Sequence, residues 1–160
     1  INYKEFYYII RDNNIFIKAD LFRKMDDYTD LLTHIITITN ECLKLREEKK
    51  QNKFFKIMVD LKNVKLKNAD YDFIKMLIPF LEEAYPNNLE KMYFHNTPFI
   101  FKTAYSVIRH FIHKETRQKI IFVKKKKNNT LKDQPSNDNG NANANGNDIE
   151  ISEDKMDELF

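Results

Sequence analysis

The stretch FFKIMVDL at residues 54–61 decides the fold, because it is an almost continuous apolar run broken only by Lys56. Such a run is typical of a strand that is covered on both faces, as strands of parallel sheets are. Apolar residues at helical spacing flank it on both sides, over residues 28–45 and 69–84. A buried strand between two amphipathic helices predicts an α/β layer fold.

The same alternation continues outward in both directions. Short β-rich runs at residues 6–11 and 15–19 surround Asp12-Asn13-Asn14, which tolerate a left-handed turn, so a hairpin is expected. Towards the C-terminus, strands are expected at residues 92–95 and 119–123, with a helix at 98–112 between them. The order predicts α/β class: a mixed, mostly parallel sheet with flanking helices.

The composition excludes several classes of protein. Of the 160 residues, 42% are hydrophobic, which is enough for one core. The two glycines are Gly140 and Gly146, so the earlier residues hold neither a P-loop nor a dinucleotide-binding turn. A single cysteine, Cys42, excludes a disulfide framework or a thiolate zinc site and suits a reducing, cytoplasmic compartment. No apolar run is long enough to cross a membrane.

Charge and composition divide the chain into three parts. Residues 1–127 carry an excess of Lys and Arg, which favours an anionic partner, and form the expected domain. Residues 128–148 are rich in Asn and nearly free of apolar side chains, so they are expected to form a disordered insertion. Residues 149–160 are expected to begin a further helix of the same domain. A chain that begins with Ile1 is expected to be a truncated part of a longer protein.

The predicted helix at 98–112 has more apolar surface than one face of a sheet can cover. Its apolar residues spread over well over half of its circumference, where a surface helix normally shows one stripe. One interpretation is a helix packed between the sheet and a neighbour beyond this chain. The other is a lid over an apolar ligand, and residue types alone leave both open.

Four segments together resemble the CRAL-TRIO lipid-binding domain, the family of phosphatidylinositol and tocopherol transfer proteins. The resemblance covers about residues 5–124 in order and spacing, and its Tyr-Pro, Asn-x-Pro and Thr-x-x-Lys-Ile elements are fairly specific. It implies a sheet that floors a hydrophobic cavity and a mobile gate helix after Asn-x-Pro. The segments are Asp60-Leu61-Lys62, Ala84-Tyr85-Pro86-Asn87-Asn88-Leu89-Glu90-Lys91, Asn96-Thr97-Pro98-Phe99-Ile100-Phe101 and Thr116-Arg117-Gln118-Lys119-Ile120.

The resemblance also implies a binding site. Thr116 and Lys119 fall where phosphatidylinositol-handling members hold the headgroup, and a lysine charge with a nearby hydroxyl suits a phosphate. Asn87 replaces the usual acidic residue after Tyr-Pro. The residues expected to line the cavity or its gate are apolar or aromatic: Ile57, Val59, Met92, Phe94, Phe99, Phe101, Tyr105, Ile108 and Phe111.

A lysine run follows the last predicted strand: Lys124, Lys125, Lys126 and Lys127. Four lysines favour transient contact with an anionic membrane surface, at about 1 kcal/mol each. No aromatic residues interleave them as a stacking platform, so nucleic acid is not an expected partner. The chain is therefore expected to associate peripherally with membranes.

Three functions fit these features. The first is a non-enzymatic carrier or sensor of a phospholipid or other small hydrophobic molecule, with no cofactor, metal or catalytic residue. The second is a protein-interaction scaffold of the same fold with a degenerate pocket. The bulky Phe55, Ile57 and Leu81 favour it, since they occupy positions where choline-lipid members carry hydroxyls. The third, a STAS-like regulatory domain, lacks the expected Asp-Ser-x-Gly at the helix start, where this chain has Asn68-Ala69-Asp70.

Overall fold

The computed structural model describes residues 1–65, 69–125 and 147–151. Three short 3-10 turns (Arg11–Asn13, Ala19–Leu21 and Arg109–Phe111) join longer elements. The helices are α1 (Tyr3–Phe6, one turn), α2 (Thr29–Glu48), α3 (Tyr71–Ala84), α4 (Phe99–Ile108) and α5 (Lys114–Gln118). The strands are β1 (Tyr7–Ile10), β2 (Asn14–Lys18), β3 (Phe55–Asp60), β4 (Leu89–His95), β5 (Ile120–Lys125) and β6 (Asn147–Ile151).

The six strands form one sheet in chain order. β1 and β2 pair antiparallel, as the predicted hairpin requires, and every later neighbour is parallel. The predicted mixed, mostly parallel α/β fold is confirmed. Because the strand order advances in one direction, right-handed crossovers place α2, α3 and α4 on the same face of the sheet. Such a sheet has no point where strand order reverses, so space for a ligand lies between the sheet and the helix layer.

Two rows of apolar side chains run across the helix-covered face. Register places Ile9, Ile15, Ile57, Met92 and Ile120 side by side. The next row, two residues away on each strand, consists of Tyr7, Ile17, Val59, Phe94 and Phe122. Residues two apart on a strand share a face. The rows therefore form a continuous apolar floor, on which α2, α3 and α4 pack.

The long helix α2 is fixed to the hairpin turn by a buried arginine. Arg46 is only 7% exposed, and its guanidinium donates to the carbonyl oxygens of Asp12, Asn13 and Asn52 at 2.8–3.1 Å and to the Asn52 side chain. Burying a guanidinium is costly unless its donors are satisfied. Here most of its donors meet backbone acceptors, so α2 and the hairpin form one unit.

The turns that glycine usually makes are formed by other residues. Asp12 and Asn13 adopt positive φ values of 57° and 53° in the hairpin turn. Lys50 has φ of 54° after the end of α2, where the Gln51 N–H donates to the Arg46 carbonyl at 2.8 Å. This is a Schellman-type helix end, whose left-handed residue is normally glycine. Residues with a Cβ atom thus take the left-handed positions that glycine usually occupies, in strained but hydrogen-bonded turns.

Helix α3 begins at a capped terminus. Asp70 accepts hydrogen bonds from the N–H groups of Asp72 and Phe73 and from the Tyr28 hydroxyl. The rings of Tyr28 and Phe73 stack with centroids 3.9 Å apart. Asn68, the predicted cap, lies outside the described residues. The start of α2 and the start of α3 are therefore held together.

Two predicted boundaries near the C-terminus are corrected by β6. Asn147 and Asp148, which were assigned to the disordered insertion, begin this strand, and residues 149–151 continue it instead of starting a helix. Ile149 and Ile151 alternate with polar residues, and β6 pairs parallel with β5. A free sheet edge with β-branched residues beside it favours strand over helix. Residues 126–146 and 152–160, where the rest of these predictions fall, lie outside the described residues.

Candidate functional site

An apolar cavity of about 290 Å³ lies between the floor of the sheet and the roof formed by α3 and α4. The floor contributes side chains from both apolar rows, including Ile57, Val59 and Phe94. The roof is formed by apolar side chains of the two helices: Ile74, Leu77, Ile78, Ala104, Tyr105 and Ile108. A space with such a lining suits hydrocarbon better than water.

The roof helix α4 is divided into two apolar faces. On the inner face, the Phe101 ring lies 5.5 Å from Phe94, and the Tyr105 ring meets Phe122 edge-on at 5.1 Å. Burial raises the pKa of Tyr105 above its ordinary value. On the outer face, Phe99 is 86% exposed, and Ile100 and Val107 are also exposed. The predicted excess of apolar surface is therefore real, and the sheet and α3 leave part of it uncovered.

Most of the predicted cavity residues line this space. They are Ile57, Val59, Met92, Phe94, Phe101, Tyr105 and Ile108. Phe99 and Phe111, which are predicted as cavity or gate residues, are not among the residues that line this cavity. Phe99 begins α4 on its outer side, and Phe111 is 39% exposed in the following 3-10 turn, where the Lys75 ammonium lies 5.0 Å from its ring centre.

A second cavity of about 270 Å³ adjoins the first and is more polar. The two share wall residues, among them Ile57, Leu81, Met92 and Thr116, so they lie side by side. The second cavity lies near the amino ends of β3 and β4. Its polar lining residues include Thr39, Glu82, Tyr85, His113, Glu115 and Lys119.

The predicted headgroup residues Thr116 and Lys119 both line the second cavity. Thr116 belongs to α5 and also borders the first cavity. Lys119 follows α5: its N–H donates to the Thr116 carbonyl at 3.0 Å, and its own carbonyl accepts the Met92 N–H at 2.9 Å. The short helix and the edge of β4 thus place a hydroxyl and an ammonium group beside the same polar space. A phosphate group suits this pair.

The opposite wall of the second cavity carries residues that sequence reasoning missed. The Tyr7 hydroxyl lies 2.9 Å from Thr39 Oγ1, and burial raises the pKa of Tyr7 well above its ordinary value. Tyr85 donates to Asn40 Oδ1 at 3.0 Å. Strand register could have revealed Tyr7, because this residue falls in the apolar row of Val59 once the hairpin is paired with β3.

The bulky residues at positions where choline-lipid members carry hydroxyls also lie here. Phe55 lines the second cavity, whereas Ile57 and Leu81 border both cavities. Asn87, which replaces the acidic residue, lines the second cavity with a φ of 60°. Large apolar side chains therefore occupy the positions where these hydroxyls would lie.

The single cysteine is removed from this site. The Cys42 thiol donates to the Asn13 carbonyl at 3.0 Å, and burial raises its pKa to about 11. A thiol with so high a pKa is a poor nucleophile at neutral pH. Its place is in the α2 core, as its position on the apolar stripe indicates.

The predicted membrane-contact lysines are only partly described. The Lys124 ammonium lies 2.8 Å from the carboxylate of Asp148, which also lies 3.7 Å from Lys102 of α4. Lys125 ends β5, and Lys126 and Lys127 lie outside the described residues. Lys124 is thus engaged in joining β5, β6 and α4.

The described ranges contain neither a membrane-spanning helix nor a metal-binding cluster. Across residues 1–65, 69–125 and 147–151, no helix combines the length and apolar character needed to cross a bilayer. The same ranges bring no three His, Cys, Asp or Glu side chains into a grouping that would hold a metal ion.

Three comparisons with known proteins agree with this architecture. Over 68 residues the chain is 34% identical to "Phosphatidylinositol transfer protein CSR1" of Eremothecium gossypii, a match that covers 42% of this chain and 16% of that protein. The solved structure titled "Crystal structure of Sfh5" superposes with a TM-score of 0.61 at 21% identity, covering 73% of this chain and 47% of that one. The chain thus spans less than half the length of these relatives. The family model of the CRAL/TRIO domain matches residues 10–146, and the chain belongs to the CRAL/TRIO domain family.

Proposed function

We propose that this chain binds one phospholipid or a similar small amphiphile, without chemical change to it. The hydrocarbon part occupies the apolar cavity, and the headgroup lies in the second cavity beside Thr116 and Lys119. The observation that carries this proposal is that an apolar cavity and a more polar one lie side by side and share wall residues. An amphiphile needs both environments within one molecular length.

The energetics favour a long-chain ligand. Each methylene group moved from water into the apolar cavity contributes about 0.8 kcal/mol. Each cavity lies near or below the lower end of the range of about 300–1,000 Å³ that is usual for small-molecule sites. A two-chain lipid therefore requires α4 to move outward, and α4 is the proposed gate.

The outer face of α4 has the exposed apolar surface that a gate acting at a membrane would need. Exposed Phe99, Ile100 and Val107 are large enough to enter the interfacial region of a bilayer. Lys102 lies on the same helix and pairs with Asp148, and the lysine run after Val123 adds positive charge. Peripheral contact with an anionic membrane would bring the gate to the lipid.

A relative named as a phosphatidylinositol transfer protein makes an anionic, hydroxyl-bearing lipid the first ligand to test. The test incubates the full chain with vesicles of phosphatidylcholine, phosphatidylserine and phosphatidylinositol, recovers the protein and identifies bound lipid by mass spectrometry. We expect one lipid per chain, enriched in phosphatidylinositol over phosphatidylcholine. Thr116→Val combined with Lys119→Ala is expected to remove the enrichment, and Lys114→Ala on exposed α5 surface is the matched control. Recovery of lipid-free protein only would contradict the proposal.

A protein-interaction scaffold is the second candidate, because Phe55, Ile57 and Leu81 narrow the space between the cavities. Replacing Leu81 with Ser should widen the passage. If the wild-type chain takes up no lipid and Leu81→Ser restores uptake, the pocket is degenerate and the scaffold role is favoured.

A further inference from the structure

Glu82 of α3 is a buried carboxylate that the proposed lipid contacts do not use. Its side chain is 10% exposed and lines the second cavity. An isolated carboxylate at such a site is costly unless donors face it. Its neighbours therefore indicate what it does.

The partner of Glu82 is His113, the residue that precedes α5. Oε1 of Glu82 accepts the His113 backbone N–H at 3.1 Å. Oε2 lies 3.3 Å from His113 Nδ1 without hydrogen-bond geometry in the described part of the chain. The imidazole itself is 74% exposed. The well-defined contact is thus between a buried side chain and a backbone group.

This contact lies at one end of the segment that carries the headgroup residues. The other end is held by the Met92 N–H, which donates to the Lys119 carbonyl. Thr116 lies between the two anchors, and Lys119 is itself the second anchor. In this region the chain leaves α3, passes through α4 and returns, so Glu82 joins residues 31 positions apart.

We propose that Glu82 is a positioning residue, which clamps the start of α5 to α3 and so holds Thr116 and Lys119 at the polar cavity. The inference rests on the proposed function for the expected effect on lipid binding. The expected effect on the position of α5 does not depend on it. Loss of the clamp would release the headgroup residues while leaving the apolar cavity, whose walls are in α3, α4 and the sheet, intact.

The test compares three variants of the full chain. Glu82→Ala removes the acceptor, Glu82→Gln keeps an oxygen that accepts the His113 N–H, and Glu83→Ala is the matched control on the exposed neighbouring position. Two probes are used: fluorescent phosphatidylinositol in phosphatidylcholine vesicles, and a fluorescent long-chain alcohol without phosphate. The ratio of the two affinities separates headgroup positioning from general damage.

We expect Glu82→Ala to weaken phosphatidylinositol binding about 10-fold, which corresponds to about 1.4 kcal/mol, with little change for the alcohol. Glu82→Gln should recover most of the loss, and Glu83→Ala should match the wild type. Equal weakening of both probes, or a Glu82→Gln variant as weak as Glu82→Ala, would overturn the inference.

Hydrogen exchange supplies a second measurement that needs no lipid. In Glu82→Ala, amides of residues 113–119 are expected to exchange about 10-fold faster, with no such change in Glu83→Ala. If the wild type binds neither probe, the proposed function fails while this result still decides the clamp. Unchanged exchange would contradict the inference directly.

Discussion

Helices α2 and α4 cover the same face of the sheet, yet they are held in different ways. α2 is fixed by the Arg46 guanidinium, which reaches backbone carbonyls in the hairpin turn and after its own C-terminus. α4 is held largely by apolar contacts such as Phe101 on Phe94, and its outer face exposes Phe99 and Val107. Directional hydrogen bonds fix one geometry, whereas apolar contacts tolerate sliding and lifting.

The difference between the two helices bears on which of them could act as the proposed gate. A ligand that enters must displace a wall without breaking buried polar bonds, because those are expensive to leave unsatisfied. Displacing α2 would break the hydrogen bonds of Arg46, whereas displacing α4 would mainly separate apolar surfaces. The comparison therefore assigns α2 to the permanent scaffold and α4 to the proposed gate, and the predictions below test that division.

The largest expected effect is on the α2 side. Arg46→Ala removes the donor of the Asp12 and Asn52 carbonyls and leaves the buried Asn13 carbonyl with only the Cys42 thiol as donor. It is expected to lower the free energy of unfolding by about 3 kcal/mol. Urea denaturation measures it. Lys44→Ala, which removes a surface pair with Glu48 on the same helix, should cost less than about 0.5 kcal/mol. Similar losses in the two variants would break the comparison.

The next effect separates the two faces of α4. Phe101→Ala removes a ring from the cavity wall and should cost about 2 kcal/mol of stability, with weaker lipid uptake. Phe99→Ala should leave the free energy of unfolding within about 0.5 kcal/mol and instead reduce binding to anionic vesicles in a sedimentation assay. If Phe99→Ala destabilises the fold as much as Phe101→Ala, the outer face is not a free surface.

A smaller effect is expected at the end of α2. Lys50 has a positive φ of 54°, which glycine adopts without the strain of a Cβ atom. Lys50→Gly is expected to raise the free energy of unfolding by about 0.5–1 kcal/mol. Thermal unfolding measures the gain, and Lys49→Gly, which lacks the positive φ, is the control. A lower melting temperature for Lys50→Gly would show that this helix end is not strained.

The smallest effect appears only at acidic pH. It tests whether the permanent scaffold that contains α2 also includes α3. Hydrogen bonds from the Phe73 N–H and then from the Tyr28 hydroxyl hold the pKa of Asp70 below its ordinary value of about 3.8. A lowered pKa gives stability that is complete above the ordinary value and is lost as pH falls through the lowered one.

Melting temperature measured from pH 6 down to pH 2 checks this sign. Asp70→Asn keeps a capping oxygen but has no charge to lose. Its stability should therefore fall less steeply than that of the wild type below about pH 4. Parallel curves would mean that Asp70 does not link α2 to α3 through its charge.

Much of the fold was predictable because local patterns carry it. The apolar run over residues 54–61 predicted a doubly covered strand, and β3 is Phe55–Asp60. Helical spacing predicted α2, α3 and α4, and Asp12 and Asn13 predicted the hairpin turn. Each of these signals depends on neighbouring residues, which is why it is visible in the sequence. β6 was missed because its pairing depends on a distant partner, β5.

The site was predicted unevenly for the same reason. The apolar residues of β3 and β4 and the inner face of α4 followed from family spacing and periodicity. For Phe99 and Phe111 the sequence left open whether they face the cavity, because a helix that is apolar nearly all round gives no indication of which side faces the sheet. The contact between Glu82 and His113 was not predictable, since residues 31 positions apart reveal a contact only after the chain folds.

The sequence by itself determined the layer order, the family resemblance and the absence of glycine from the ordered turns, since all of these depend on residue type and short-range spacing. Only the tertiary structure decided that an apolar cavity adjoins a more polar one, that Arg46 fixes α2 and that α4 exposes one apolar face. These depend on which distant groups meet. Burial and hydrogen-bond satisfaction, which choose among distant partners, are properties of the folded chain and not of any segment within it.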